Sequence, residues 1–202
     1  MNTSKSLLVT AKRDLDSEAW FKLHRIYDPL IAGWIVRSGV DEAEVSDITQ
    51  EVLTTVSQEL PRFEHNGRVG AFRNWLKLIT INRCRRYWDS KKKQVRTERS
   101  LDTDSGIMLL NQLEDPNSDV SQLWDTEHDS YVFEKLVELI RSEFDEKVYE
   151  VFVRNTLQDE APKSIGEDLG FSVNAIYKMK FRVMKRLREV AEGILDDAAS
   201  DT

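Results

Sequence analysis

Residues 161–188, APKSIGEDLGFSVNAIYKMKFRVMKRLR, carry the side chains best suited to chemistry on a nucleic-acid surface. Between Ile176 and Arg188 stand six basic residues (Lys178, Lys180, Arg182, Lys185, Arg186 and Arg188) and no acidic one, in a chain of formal net charge −7. Ammonium and guanidinium groups meet phosphates and base acceptors, and an asparagine such as Asn174 can pair with adenine in the major groove. Such groups read a duplex only when one rigid element presents them together. Ile165 and Leu169, four apart, predict a short helix, Gly170 a tight turn, and Ser172 the N-cap of a second helix from Val173 onward. On that helix Ile176, Val183, Leu187, Val190 and Ile194 share a core-facing stripe, with Asn174, Lys178, Phe181 and Lys185 opposite. A solvated basic face on an ordinary helical hairpin would contain the same two helices. The glycine turn, the cap and the separation of charge from apolar surface together favour DNA.

Other chemistries find little to work with. Cys84 is the only cysteine, which excludes an internal disulfide and a multi-cysteine zinc site. His24, His65 and His128 are far apart and lack ligand-like spacing. A nuclease or recombinase needs a nucleophile or a carboxylate cluster around a metal. Asp196, Asp197 and Asp201 read instead as a tail, and Asp102 and Asp104 as loop residues. The expectation is a protein that is not an enzyme and holds neither metal nor cofactor. The opening MNTSKSLLVTAKRDLD has three consecutive strongly apolar residues before charges resume, too few for a secretory segment. No apolar run approaches membrane-spanning length, so a cytoplasmic location without a membrane partner is expected.

At 202 residues, with 40% hydrophobic and 32% charged residues, the chain is long and apolar enough to fold as one large or two small domains. Its acidity argues against indiscriminate coating of nucleic acid, and the distribution of charge is more telling. From Arg73 to Arg99 ten basic residues stand against Asp89 and Glu98, a local net of +8, whereas Ser100 to Glu134 holds nine acidic residues and no Lys or Arg. Two basic modules joined by an acidic connector is the resulting picture.

With no strand pattern and few Gly and Pro (8 and 4), the fold class expected is all-α, with the helix-turn-helix in the C-terminal of two helical domains. One helix is predicted over 17–27, another from Pro29 to Gly39, and an acidic one over Asp41–Glu59, stopped by Pro61. A polar loop, 62–70, leads to a long helix from Ala71 to about Ser90. The connector, about 95–130, reads as a loop with short helical pieces around Ile107–Leu113 and Leu123–Trp124, docked either on this protein or on a partner. It could serve as a tether or fold back on the basic surfaces. Helices around Phe133–Ile140 and Val148–Phe152, with Asp145 as a cap between them, complete a four-helix C-terminal unit.

In the helix from Ala71, Phe72, Trp75, Leu76 and Ile79 form a core stripe. Trp88 and Ile81 lie about 160° and 180° round from Phe72, among Lys77 and Arg85, which places apolar surface on a cationic face where separated bases could stack. Burial of Trp88 and Tyr87 by neighbours on a second side is the alternative. The outer face of the acidic helix, with Glu44, Asp47, Gln50, Glu51 and Gln58, is either solvated or a protein-binding face.

These blocks resemble a known family. Residues 41–93, DEAEVSDITQEVLTTVSQELPRFEHNGRVGAFRNWLKLITINRCRRYWDSKKK, are similar to the second conserved region of bacterial RNA polymerase sigma factors: D-x-x-Q-E-V, an L-P-R-F turn, F-R-x-W-L, a late Asn and a basic end. Residues 145–190 resemble the fourth region. The absence of recognisable regions between them resembles the short extracytoplasmic-function class. The F-E-H-N-G-R-x-G-A-F-R loop and long acidic connector look most like planctomycete-type members.

The resemblance implies a transcription initiation factor with core RNA polymerase and promoter DNA as partners, and it admits an anti-sigma factor. It divides the chain into 1–95 (polymerase and minus-ten element), an acidic linker over 96–130, and 131–195 (minus-thirty-five element). Asp47, Gln50 and Glu51, with Leu53 and Leu60, would dock on the clamp of the largest polymerase subunit. Phe63, Arg68, Arg73, Asn82, Arg86, Tyr87 and Trp88 would hold the melted minus-ten strand. Ser172, Asn174, Tyr177, Lys178, Phe181, Arg182 and Lys185 would enter the minus-thirty-five major groove. Gly166 departs from the family's usual Ala, and Tyr177, Met179 and Lys180 from a usual Lys-Ser-Arg-Leu pattern. Opening about ten base-pair steps costs roughly 14 kcal/mol, and each captured base returns about 1 to 3 kcal/mol, so the protein alone is expected to bind weakly and not to melt DNA. A polymerase-independent helix-turn-helix regulator is the rival; it leaves the second basic helix unexplained.

Overall fold

Local capping chemistry starts most of the helices. The computed structural model describes residues 6–94 and 101–195. Ser6 opens α1 (Leu7–Arg13) by accepting from the Val9 N–H, and Ser17 opens α2 (Glu18–Arg37) by accepting from Trp20. Asp41 stands at the start of α3 (Glu42–Glu59), whose first turn carries Glu42 and Glu44 where the helix dipole favours them. A 3₁₀ turn, Leu60–Arg62, and an exposed loop lead to α4 (Ala71–Gln94). Then follow α5 (Leu101–Glu114), α6 (Asp119–Ile140, capped by Ser118), α7 (Glu146–Phe152, capped by Asp145), α8 (Pro162–Leu169) and α9 (Val173–Ala191, capped by Ser172). The fold is all-α, with no strand among the described residues.

Three expectations change. The two helices expected on either side of Pro29 are one, α2. A mid-helix proline costs about 3 kcal/mol, but Leu23, Ile26, Tyr27, Leu30, Ile31, Trp34 and Ile35 form a buried stripe that crosses it unbroken. The long helix from Ala71 runs to Gln94 rather than stopping near Ser90. The connector is also not a loop. Its part within 101–130 is α5 and the first half of α6, so the boundary expected at residue 131 falls inside one helix. Its start, 96–100, and the tail with Asp196, Asp197 and Asp201 lie outside the described residues.

The connector is helical because its apolar residues have a core to enter. Leu110 and Leu113 of α5 and Trp124 of α6 are buried together with α2 and α4, and the same hydrophobic cluster continues through Val132, Leu136 and Ile140 into Val183 and Leu187 of α9. Helix α1 closes the arrangement from the other end of the chain: Ser6 Oγ donates to the Glu192 carbonyl at 2.8 Å. A smaller cluster of Val151, Ile165 and Ile176 fills the elbow between α7, α8 and α9.

Candidate nucleic-acid interface

The elbow holds α9 outward. Gly170 sits at φ 74°, a left-handed turn that costs a side-chain-bearing residue about 1–2 kcal/mol, and its N–H returns to the Gly166 carbonyl. Ser172 accepts from Ala175 N at 3.2 Å to restart the chain as α9. Arg154, on the turn after α7, fastens the outside: its guanidinium donates to both carboxylate oxygens of Glu160 at 2.8 and 2.9 Å and to Asp168 at 2.6 Å. Hydrogen bonds from Arg154 and then from Ser164 pull the Glu160 carboxyl down to about 2. Arg186 is turned inward in the same manner, donating to both oxygens of Glu143 at 2.6 and 3.0 Å.

All seven residues predicted for this surface are exposed: Ser172, Asn174, Tyr177, Lys178, Phe181, Arg182 and Lys185. Ile176, Val183 and Leu187 on the other side are fully buried. Among the described residues no ion pair engages Lys178, Arg182 or Lys185. Their charge is therefore directed at solvent, while Arg186 is spent on structure. Val173 was not expected here, but it is 42% exposed and lies one turn before Tyr177 (55%) and two before Phe181 (62%). The i, i+4, i+8 spacing was available in the sequence.

The first module divides differently. On α3, Asp47, Gln50 and Glu51 are exposed, whereas Leu53 and Leu60 are buried at 3% and 0% and anchor the helix to the core. Arg83 of α4 reaches across to Thr55 at 2.6 Å and Glu51 at 3.5 Å, fixing the acidic face. In the loop after α3, Phe63 is half-buried against Trp75 (ring centroids 4.9 Å) and Phe72 (5.6 Å), and Arg68 is exposed. Asn82 and Arg86 lie open one turn apart on α4, in line with Leu78, an exposed apolar residue that was not singled out.

The opposite side of α4 is covered, which agrees with the alternative of burial on a second side. Trp88 is only 4% exposed, Ile81 0% and Lys77 5%. The central helix packs on two sides because α5 and α6 lie across it. Tyr87 is half-buried, and its hydroxyl accepts from the Asp41 N–H at 3.2 Å. Arg73 meets Asp125 at 3.1 Å and also pairs with Asp129. Lys77 Nζ lies 2.8 Å from both Asp125 and the Ser121 hydroxyl. Burial lowers the Lys77 pKa, opposed by the Asp125 carboxylate. His128, also buried, bonds Asp129 at 2.8 Å and the Tyr27 hydroxyl at 3.1 Å, and desolvation lowers its pKa. Neither the acidic partners of Arg73 and Lys77 nor the place of His128 could be read from spacing, since those partners lie 48 to 56 residues away in sequence and Tyr27 lies 101 residues from His128.

Among the described residues no group of His, Cys, Asp and Glu could hold a metal ion, and no helix is long and apolar enough to cross a membrane. Cys84 is buried, and burial raises its thiol pKa.

Residues 14–94 match the family model for Sigma-70 region 2. That span includes α2, α3, the exposed loop and α4, and it supports a factor of the sigma-70 family. No curated protein matches the chain.

Proposed function

We propose that the chain is a transcription initiation factor of the extracytoplasmic-function type, similar to planctomycete members, which binds core RNA polymerase and directs it to promoters. The observation that carries this reading is the pairing, in one chain, of a Sigma-70 region 2 segment with a capped recognition helix whose seven candidate contact residues are all exposed. Asp47, Gln50 and Glu51 form the polymerase-facing edge, and Leu53 and Leu60 support it from beneath. Lys178, Arg182 and Lys185 meet phosphates and base acceptors of the upstream element; Asn174, Tyr177 and Phe181 contact base edges, and Ser172 caps the helix at the groove. Phe63, Arg68, Asn82 and Arg86 face the melted downstream strand. Arg73 and Trp88, on the opposite and covered side of α4, hold that helix in place behind this surface, and half-buried Tyr87 lies at its border. The cation count is too small and the net charge too negative for tight binding without polymerase.

The test is a gel shift with duplex promoter and with a pre-melted fork, with and without core polymerase. Binding that depends on polymerase and favours the fork supports the assignment. Tight duplex binding by the protein alone, with no polymerase association, would make it a free-standing helix-turn-helix regulator. An anti-sigma factor, where one exists, is expected to mask the α3 edge or α9.

A further inference from the structure

Arg83 stands in the chain between Asn82 and Arg86, two residues of the strand-facing surface, yet its guanidinium turns away from that surface. Nη2 donates to the Thr55 hydroxyl at 2.6 Å and Nη1 lies 3.5 Å from Glu51 Oε2, both across the seam on α3. Thr55 is prepared for this contact, because its own hydroxyl proton goes to the Glu51 carbonyl at 2.8 Å and leaves a lone pair to accept. One and two turns further along α4, Tyr87 and Lys91 reach the start of the same helix. The Tyr87 hydroxyl accepts from the Asp41 N–H at 3.2 Å, and Lys91 Nζ donates to the Asp41 carboxylate at 2.7 Å while lying 5.4 Å from the Tyr87 ring centroid. Arg83, Tyr87 and Lys91, at i, i+4 and i+8, thus form one polar row about 12 Å long that fastens α3 to α4 at two places. Beneath the row the seam is apolar, with Val45, Ile48, Val52 and Val56 buried. Apolar contacts are non-directional, whereas a guanidinium fork fixes a direction. Glu51 is the member of the polymerase-facing edge that the row touches. Its side chain is 61% exposed against 25% for Arg83, and among the described residues its Oε1 has no partner. One oxygen is held from behind and the other is left for an outside cation.

We infer that Arg83 is a positioning residue for polymerase docking: from α4 it sets the Glu51 carboxylate and the rotation of the α3 edge. It thereby ties the polymerase-facing surface to the strand-facing row of Leu78, Asn82 and Arg86 on its own helix. The inference rests on the reading of Asp47, Gln50 and Glu51 as the polymerase-facing edge. It also removes Arg83 from the cations that meet the strand, the role that its place between Asn82 and Arg86 would otherwise give it. Arginine suits the task because one planar fork reaches the hydroxyl and the carboxylate together, which the single ammonium of a lysine does not reproduce.

The test is a double-mutant cycle between positions 83 and 51 in the full-length chain, read as affinity for core polymerase in competition with labelled wild type. Arg83→Ala is expected to weaken core binding about fivefold, and Glu51→Gln by about as much. The double variant should bind no worse than Glu51→Gln alone, since both changes remove the same presented carboxylate. Arg83→Lys, which keeps the charge and loses the fork, should recover only part of the loss. General loosening of the seam would instead add its loss to that of Glu51→Gln, and additive losses overturn the inference. So does an unchanged core affinity in Arg83→Ala or in Glu51→Gln. With core polymerase saturating, the log–log salt slope of fork binding should be the same for Arg83→Ala as for wild type. A slope flattened by about 0.7 would make Arg83 a strand contact and overturn the inference as well. Where Arg83→Ala does not fold, Thr55→Val decides, because it removes the acceptor and keeps the branched shape. It should weaken core binding about twofold, and undiminished affinity there would count against Arg83 in the same way. Should the wild-type chain bind no core polymerase at all, the initiation-factor reading itself fails; wild-type binding with additive losses removes the positioning role alone.

Discussion

The indole of Trp124 lies against that of Trp34, 4.7 Å between ring centroids at an interplanar angle of 53°, joining the acidic segment to the helix that backs the first module. Trp124 is fully buried and belongs to the cluster that runs from α1 to α9. Trp124→Ala is therefore expected to cost about 3–5 kcal/mol, read as a lower urea midpoint of the whole chain. A loss under 1 kcal/mol would mean that α6 docks without help from this contact.

Gly166 has a physical reason to differ from the alanine usual in the family it resembles. A methyl group there would stand 2.5 Å from the Phe171 carbonyl oxygen, while the Phe171 N–H donates to the Gly166 carbonyl at 2.9 Å. Both contacts are backbone and cannot swing aside. Gly166→Ala should destabilise the α8–α9 elbow by about 1–3 kcal/mol, measured by thermal unfolding. A neutral or stabilised variant would show that the turn relaxes freely.

Removing Lys178 and Arg182 tests the recognition face without touching the core, since both are exposed. Each alanine substitution should weaken polymerase-dependent promoter binding and flatten the log–log salt dependence by about 0.9 per lost phosphate contact on duplex DNA. Helicity and melting temperature should stay at wild-type values. Unaltered affinity and slope in the double variant would remove α9 from the interface.

The Arg154–Glu160 pair sets an acid limit on the helix-turn-helix. Glu160 is held at about 2 against an ordinary value of 4.5. A depressed carboxylate contributes its stability in full above the unfolded pKa and loses it as the pH falls through the folded one. Glu160→Gln should accordingly melt below wild type at pH 7, and the gap should close between about pH 4.5 and pH 2. A gap that persists undiminished at pH 2 would assign the difference to packing rather than to charge.

Short-range chemistry made much of this protein legible in its sequence. Ser172, Gly170 and the Ile176–Val183–Leu187 stripe placed α9 and its exposed face, because caps, turns and helical periodicity act over a few residues and α9 needs to bury one side only. The charge count along the chain likewise separated two basic blocks from an acidic one. Periodicity could not decide where a helix is buried on two sides: α4 has no single apolar face, and Trp88, which its angle from Phe72 left either outward or covered, lies under Gly106 of α5, while Ile81 is fully buried. Only the tertiary structure decided that the acidic residues answer the basic ones within the same chain, Asp125 to Lys77 and Glu114 to Arg85. Such pairs form between positions distant in sequence, and it is the packing of Leu110, Leu113 and Trp124 that brings them into reach.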